Sequence, residues 1–241
     1  MSSRLILCEG VDDLAALREV IARDCRRTGA GRSDRFRKGD IRSFQFLDGD
    51  RPPVHLVSVD GKGKFPERLS FFIANPSLDD PFDVIGVCFD PDSQTKMQAS
   101  AWIRKKCIPQ GAETSKTEHG FRVTLDERVT EVVPLPWCLG EVFDQLEDER
   151  NIERVALSIL QDGAESESKL IDELLTHLRE NQVETSWKTA IKLWNAVRLP
   201  ASDGPGFLAQ VFGQDDCLRA SKNSLLEGTP LLASLKYICG V

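Results

Sequence analysis

The sequence predicts an α/β protein: a mostly parallel sheet flanked by helices, with a helical C-terminal extension. Three observations predict it. Short apolar runs alternate with helix-periodic stretches through the first 140 residues, the pattern of a parallel sheet covered on both faces. One run, Val84-Ile-Gly-Val-Cys-Phe89, is continuously apolar, as in a strand buried on both sides. Beyond Pro136 the strand signals stop, and apolar residues recur only at helical spacing.

The first element is a strand, Arg4-Leu-Ile-Leu-Cys8, followed by a tight turn at Glu9-Gly10. Leu14, Leu17, Val20 and Ile21 then recur at helical spacing, with Asp12 or Asp13 placed to cap the helix. Thr28 to Asp40 is rich in Gly, Arg and Asp without periodicity and reads as a mobile basic loop. Val54 to Val59 is a second strand, ending in Asp60-Gly-Lys-Gly-Lys64. Leu69, Phe72 and Ile73 share one face of a helix around Pro66 to Ala74. The strand Val84 to Phe89 ends in Asp90-Pro91-Asp92, and a helix follows from about Gln94 to Cys107. Phe121 to Leu125 and Val129 to Leu135 are two more strands, the second stopped by Pro134 and Pro136.

Residues 1–140 therefore read as one α/β domain and 141–241 as a helical region packed on it. Leu170, Ile171, Leu174, Leu175 and Leu178 form one apolar stripe in that region. Trp187, Ile191 and Trp194 form a second, expected as helix core rather than a base-stacking platform. Thr229-Pro230 opens a last helix as N-cap and first helical residue.

With 241 residues the chain can bury a core without disulfide or metal staples. No apolar stretch approaches the roughly 18 residues that span a bilayer, so no membrane partner is expected. The start, MSSRLILCEG, holds a four-residue apolar run, too short for a signal peptide, and a cytoplasmic location is expected. Seven cysteines, none in CxxC spacing, and three scattered histidines argue against a disulfide framework and a structural zinc.

The net charge of −7 argues against a general nucleic-acid coat, because the far field repels phosphate. The charge is segregated, however. Eight basic residues lie between Arg23 and Arg42 against three acids, and the balance reverses from Glu141 to Glu153. Arg32, Arg35, Arg37 and Lys38 are thus candidate phosphate contacts, as are Lys62 and Lys64 in the Gly-Lys-Gly-Lys turn. That turn lacks the P-loop pattern.

Three carboxylates fall just past the ends of strands, where parallel sheets place their ligands: Glu9, Asp90 and Asp92. Pro91 biases Asp90 towards extended backbone, which projects residues i and i+2 to one side. Two hard oxygen ligands on one side suit Mg²⁺ or Mn²⁺, which fills its other positions with water and phosphate. Glu9, leaving a different strand, could complete the site or move a proton. Glu141 and Asp144 are further candidate ligands.

The combination Leu5-Ile-Leu-Cys-Glu-Gly-Val-Asp-Asp-Leu-Ala-Ala with Val84-Ile-Gly-Val-Cys-Phe-Asp-Pro-Asp92 resembles the Toprim domain. Topoisomerases, primases, overcoming-lysogenization-defect nucleases and small ribosomal-RNA-maturing nucleases share that domain. The resemblance spans roughly residues 4 to 135, and the Glu-Gly-x-Asp-Asp form is closest to the nuclease branch. It implies Glu9 as general acid or base, with Asp90 and Asp92 on a divalent metal. Asp13 matches an acid that adds to the metal site. The implied protein is a Mg²⁺-dependent nuclease whose partner is DNA or RNA, with a second copy of the chain as a further candidate partner. Tyr237 is the only tyrosine and lies in the last helix, which argues against topoisomerase chemistry.

Two rival classes share the same residues. One is a catalytically silent Toprim-like binding protein. The other is a metal-dependent phosphatase, since Asp90-Pro91-Asp92-Ser-Gln94 half-resembles the haloacid-dehalogenase start, with Gln94 in place of the expected Thr. Asp-x-Asp also marks metal and sugar-nucleotide binding in glycosyltransferases.

Overall fold

The structure is a computed structural model that describes residues 3–29, 31, 36, 42–48, 50–75, 82–91, 96–138, 151–198, 204–214 and 218–241. Its centre is one sheet made of β1 (Ser3–Cys8), β2 (Ser43–Phe46), β3 (Val54–Ser58), β4 (Phe82–Phe89), β5 (Glu113–Lys116), β6 (Phe121–Leu125) and β7 (Arg128–Pro136). The spatial order is β2-β3-β1-β4-β7-β6-β5. The four central strands, β3-β1-β4-β7, are mutually parallel, while β2, β6 and β5 add antiparallel edges. The α/β class and mostly parallel sheet are those the sequence predicts.

Nine helices of the described residues cover the sheet: α1 (Val11–Asp24), α2 (Phe65–Ala74), α3 (Lys96–Lys106), α4 (Ile152–Gly163), α5 (Glu165–Glu180), α6 (Trp187–Arg198), α7 (Gly204–Ala209), α8 (Arg219–Leu226) and α9 (Pro230–Cys239). A turn of π-helix, Gln210–Gln214, continues α7. Residues of α2 and α3 pack on one face, where Phe65, Leu69, Phe72 and Ile103 meet Leu5, Leu7, Ile85 and Val87. The other face carries α1 and the C-terminal helices, which share one continuous core with Ile6, Cys8, Cys88 and Leu135. Gly86 lets α9 approach closely, since a Cβ there would stand 2.8 Å from the Cδ1 atoms of Ile238 and Leu135. The helical region is thus packed directly on the sheet. Trp194 and Ile171 are core there, whereas Leu170 and Leu174 of the same α5 stripe stay exposed.

Three local expectations are corrected. The N-cap of α1 is Gly10, not Asp12 or Asp13; Asp13 is the third helical residue and its Oδ2 accepts the Gly10 N–H at 2.8 Å. Strand β7 runs through Pro134 and ends on Pro136, so only the second proline stops it. The odd-numbered residues face β4, as the Trp137 N–H to Phe89 O bond (3.1 Å) shows, so the prolines turn their missing donors away from the ladder. Finally, two arginines of the basic stretch are structural. Arg27 is 2% exposed and pairs with Asp48 (Nε–Oδ1, 2.7 Å), and Arg23 donates to Phe212 O.

Two of the seven strands have no sequence signal of their own. β5, Glu-Thr-Ser-Lys, is wholly polar because it is an edge strand, mostly exposed. β2 is only four residues long and forms the opposite edge. Within the Thr28–Asp40 segment, expected as a mobile loop, Gly31 pairs with Gln45 and Phe36 is buried against Phe72 and Phe82.

Candidate functional site

The site begins with two interlocked turns. Val59 N–H donates to Cys8 O (2.9 Å) and Gly61 N–H to Glu9 O (2.8 Å), which fastens the turn after β3 to the turn after β1. Asp60 and Gly61 make that turn at φ 59° and 112°. A positive φ at two successive residues costs a side chain strain that glycine escapes, so Gly61 suits its position.

Topology then opens a crevice. The chain leaves β1 through α1 on one face of the sheet, and leaves β4 through α3 on the other. Adjacent parallel strands whose connections depart to opposite faces form a switch point, and the crevice beyond their carboxyl ends is where such sheets bind ligands. Glu9 follows β1 and Asp90 follows β4, so the two flank that crevice.

It is a cleft of about 610 Å³ lined by six carboxylates: Glu9, Asp12, Asp13, Asp60, Asp90 and Glu153. Arg42, exposed, is the one cation among the described lining residues. Asp90 Oδ1 accepts the Ile152 N–H (3.0 Å), which seats this carboxylate at the N-terminus of α4, where the helix dipole favours negative charge. Lys62 Nζ donates to the Asp90 carbonyl oxygen at 2.8 Å. Asp13 has both oxygens engaged, Oδ2 by Gly10 N–H (2.8 Å) and Oδ1 by the Trp137 indole Nε1–H (2.6 Å).

The carboxylates strain against one another. Burial, then the charges of Asp13, Glu153 and Glu9, pushes the Asp90 carboxyl up to about 8, against the opposing Ile152 hydrogen bond. Burial with a contribution from Glu9 pushes Asp13 up to about 7, although its hydrogen bonds pull the other way. Burial also raises Asp12 and Glu153, and Lys188 partly offsets the latter. Like charges gathered in a half-buried cleft hold protons more tightly unless a cation joins them.

Hard oxygen donors are the right set for Mg²⁺ or Mn²⁺. Among the described residues no three His, Cys, Asp or Glu side chains converge to hold an ion by themselves. A magnesium ion asks less than that, taking one or two carboxylates and keeping several waters. Asp90 with Glu9 or Asp12 meets that demand, and the Asp12 Oδ1 atom is buried without a hydrogen-bond partner. The residues present fit a divalent cation.

The structure thus brings Glu9, Asp13 and Asp90 together and adds Lys62 from behind. Lys64 is exposed and does not line the cleft. Asp92, Arg32, Arg35, Arg37, Lys38, Glu141 and Asp144 lie outside the described residues. Sequence reasoning missed Asp60, Glu153 and Trp137. Asp60 could have been found by the same end-of-strand rule that selects Glu9, whereas Glu153 and Trp137 carry no local signal.

Comparison with known proteins shows the fold. No family model matches the chain, and no curated protein matches it. The crystal structure of a hypothetical protein from Pyrococcus horikoshii OT3 is similar over 99% of both chains, with a TM-score of 0.63 at 13% sequence identity. The cytosolic domain of L. pneumophila FeoB aligns with a TM-score of only 0.24 at 11% identity, over 98% of this chain and 97% of that one, and carries no argument. No helix among the described residues is long and apolar enough to cross a membrane.

Proposed function

We propose that the protein is a divalent-metal-dependent phosphodiester hydrolase of the Toprim type that acts on nucleic acid. The observation that carries this reading is the convergence of Glu9 and Asp90, from neighbouring parallel strands, in one acidic cleft at the switch point of the sheet. Bound there, Mg²⁺ or Mn²⁺ supplies Lewis-acid polarisation of the phosphoryl group.

Asp90, with Asp92 and Asp12, would hold the ion. Asp13 is a positioning residue: tied to Gly10 and Trp137, it fixes the turn that carries Glu9. Glu9 moves the proton of the attacking water or the leaving oxygen. Lys62, anchored on the Asp90 carbonyl, and Arg42 at the rim provide positive charge for the flanking phosphates.

The test is cleavage of labelled single- and double-stranded DNA and RNA by the purified protein in Mg²⁺, Mn²⁺ or EDTA. Metal-dependent cleavage that Asp90→Asn abolishes is the expected result. Intact substrates beside tight Mn²⁺ binding would assign a silent binding protein instead. Hydrolysis confined to a phosphate monoester such as p-nitrophenyl phosphate would assign the phosphatase class.

A further inference from the structure

We propose that a second groove, along the open edge of β7 between α3 and α9, is the track for a nucleic-acid strand leaving the acidic cleft; this rests on the hydrolase reading above. Strand β6 pairs with β7 only from Arg128 to Val132, so among the described residues Val133 to Pro136 have β4 on one side and no strand on the other. The opening there is a cavity of about 730 Å³, within the ~300–1,000 Å³ range of built ligand sites.

Its chemistry is specific. The main chain of Pro134 and Pro136 faces outward, so this edge offers carbonyl acceptors and no N–H donors. An added peptide strand needs both, and would lose half its ladder here. A nucleobase can use acceptors alone through its exocyclic amino groups. Arg104 of α3 and Lys116 of β5 stand exposed along the groove, against a single acid, Glu118, among the described lining residues. The half-buried rings of Pro134 and Pro230 offer apolar surface, and the His119 ring stacks on Tyr237 with centroids 3.9 Å apart. Cations along a groove with stacking faces between them are the equipment of a single-strand track.

The rim is built rather than incidental. Thr117 Oγ1 and Tyr237 Oη donate to the two oxygens of Glu131, each at 2.6 Å, which fixes the β5–β6 turn against α9. Gly120 makes this possible, because a Cβ there would lie 2.1 Å from Val132 O. Arg104 is held by a 2.9 Å bond to Thr114 Oγ1. Phe89 lines the groove and Asp90, the next residue in the chain, lines the cleft.

The experiment measures binding of a short fluorescein-labelled single-stranded oligonucleotide by anisotropy, in EDTA, over a series of salt concentrations. R104E/K116E should weaken binding at least about tenfold and flatten the log–log salt slope by about 0.7 per lost phosphate contact. Both residues are exposed, so the melting temperature should hold; if it falls, R104Q/K116Q repeats the test with less charge change. Equal affinity and slope in variant and wild type would overturn the proposal, as would a wild type that binds no oligonucleotide or that prefers an extended peptide. Cleavage in Mn²⁺ is scored separately. A wild type that binds through Arg104 and Lys116 yet cleaves nothing sinks the hydrolase reading and leaves the track standing.

Discussion

Asp13 Oδ1 accepts a 2.6 Å hydrogen bond from the indole Nε1–H of Trp137, joining the turn after β1 to the residue that follows β7. Both groups are buried, Trp137 completely and Asp13 to 6% exposure. It joins residues that follow the two strands on either side of β4, and Asp13 lines the acidic cleft.

Trp137→Phe removes the donor and leaves a buried carboxylate oxygen unsatisfied. The expected cost is about 1–3 kcal/mol, read as a lower urea midpoint. An unchanged midpoint would mean that Asp13 recruits another partner, and its positioning role would fall with it.

Metal binding and proton transfer separate by substitution. Asp90→Asn keeps the shape and the acceptor for Ile152 N–H but removes a charge from the cleft, so Mn²⁺ affinity measured by calorimetry should drop. Asp92→Asn should do the same. Glu9→Gln should leave Mn²⁺ affinity nearly unchanged while cleavage of a labelled oligonucleotide falls by about 10²- to 10⁴-fold. Loss of metal binding in Glu9→Gln equal to that in Asp90→Asn would make Glu9 a ligand first.

Stability without metal should depend on pH in an unusual direction. Asp13 and Asp90 are raised from the ordinary 3.8 to about 7 and about 8, chiefly by burial. Between those limits the folded chain holds protons that the unfolded chain has released, so stability is greatest near pH 4 and falls as pH rises towards 8. Urea midpoints in EDTA should decline across that window, and Asp90→Asn should recover on the order of 1 kcal/mol at its upper end. Added Mg²⁺ should flatten the decline by stabilising the folded, ionised cleft. Midpoints that rise with pH in EDTA would contradict the crowding of these carboxylates.

Arg27 tests the division of the basic stretch. It is buried against Asp48 and donates to Pro52 O (2.6 Å) and Cys239 O (3.3 Å), tying α1 to the β2–β3 connection and to the end of α9. Arg27→Ala leaves Asp48 with Arg51 alone (Nη2–Oδ2, 2.8 Å) and takes the donor from two carbonyls, and should cost about 1–3 kcal/mol in chemical denaturation. A loss of oligonucleotide affinity in a fully stable Arg27→Ala protein would instead make this residue a phosphate contact.

The sequence by itself determined the parallel centre of the fold, because strands buried on both faces must be apolar throughout. Leu5 to Cys8 and Val84 to Phe89 are such runs, and Val54 to Val57 departs from one only at the buried His55. It also determined where Glu9 and Asp90 would stand, since a carboxylate directly after such a strand emerges at the sheet's ligand-binding edge. Tertiary structure alone decided the remainder. The edge strands β2 and β5 exist through pairing with β3 and β6, and an exposed edge imposes no apolar pattern on residues such as Glu113-Thr-Ser-Lys116. Pro134 and Pro136 fit a strand because no described strand pairs with that side of β7. Glu153 joins the cleft because α4 docks its N-terminus on Asp90, and Trp137 because its indole reaches Asp13. Such contacts join residues far apart in the chain. Each depends on where helices come to rest against the sheet, which the sum of burial over the whole core decides and no local spacing records.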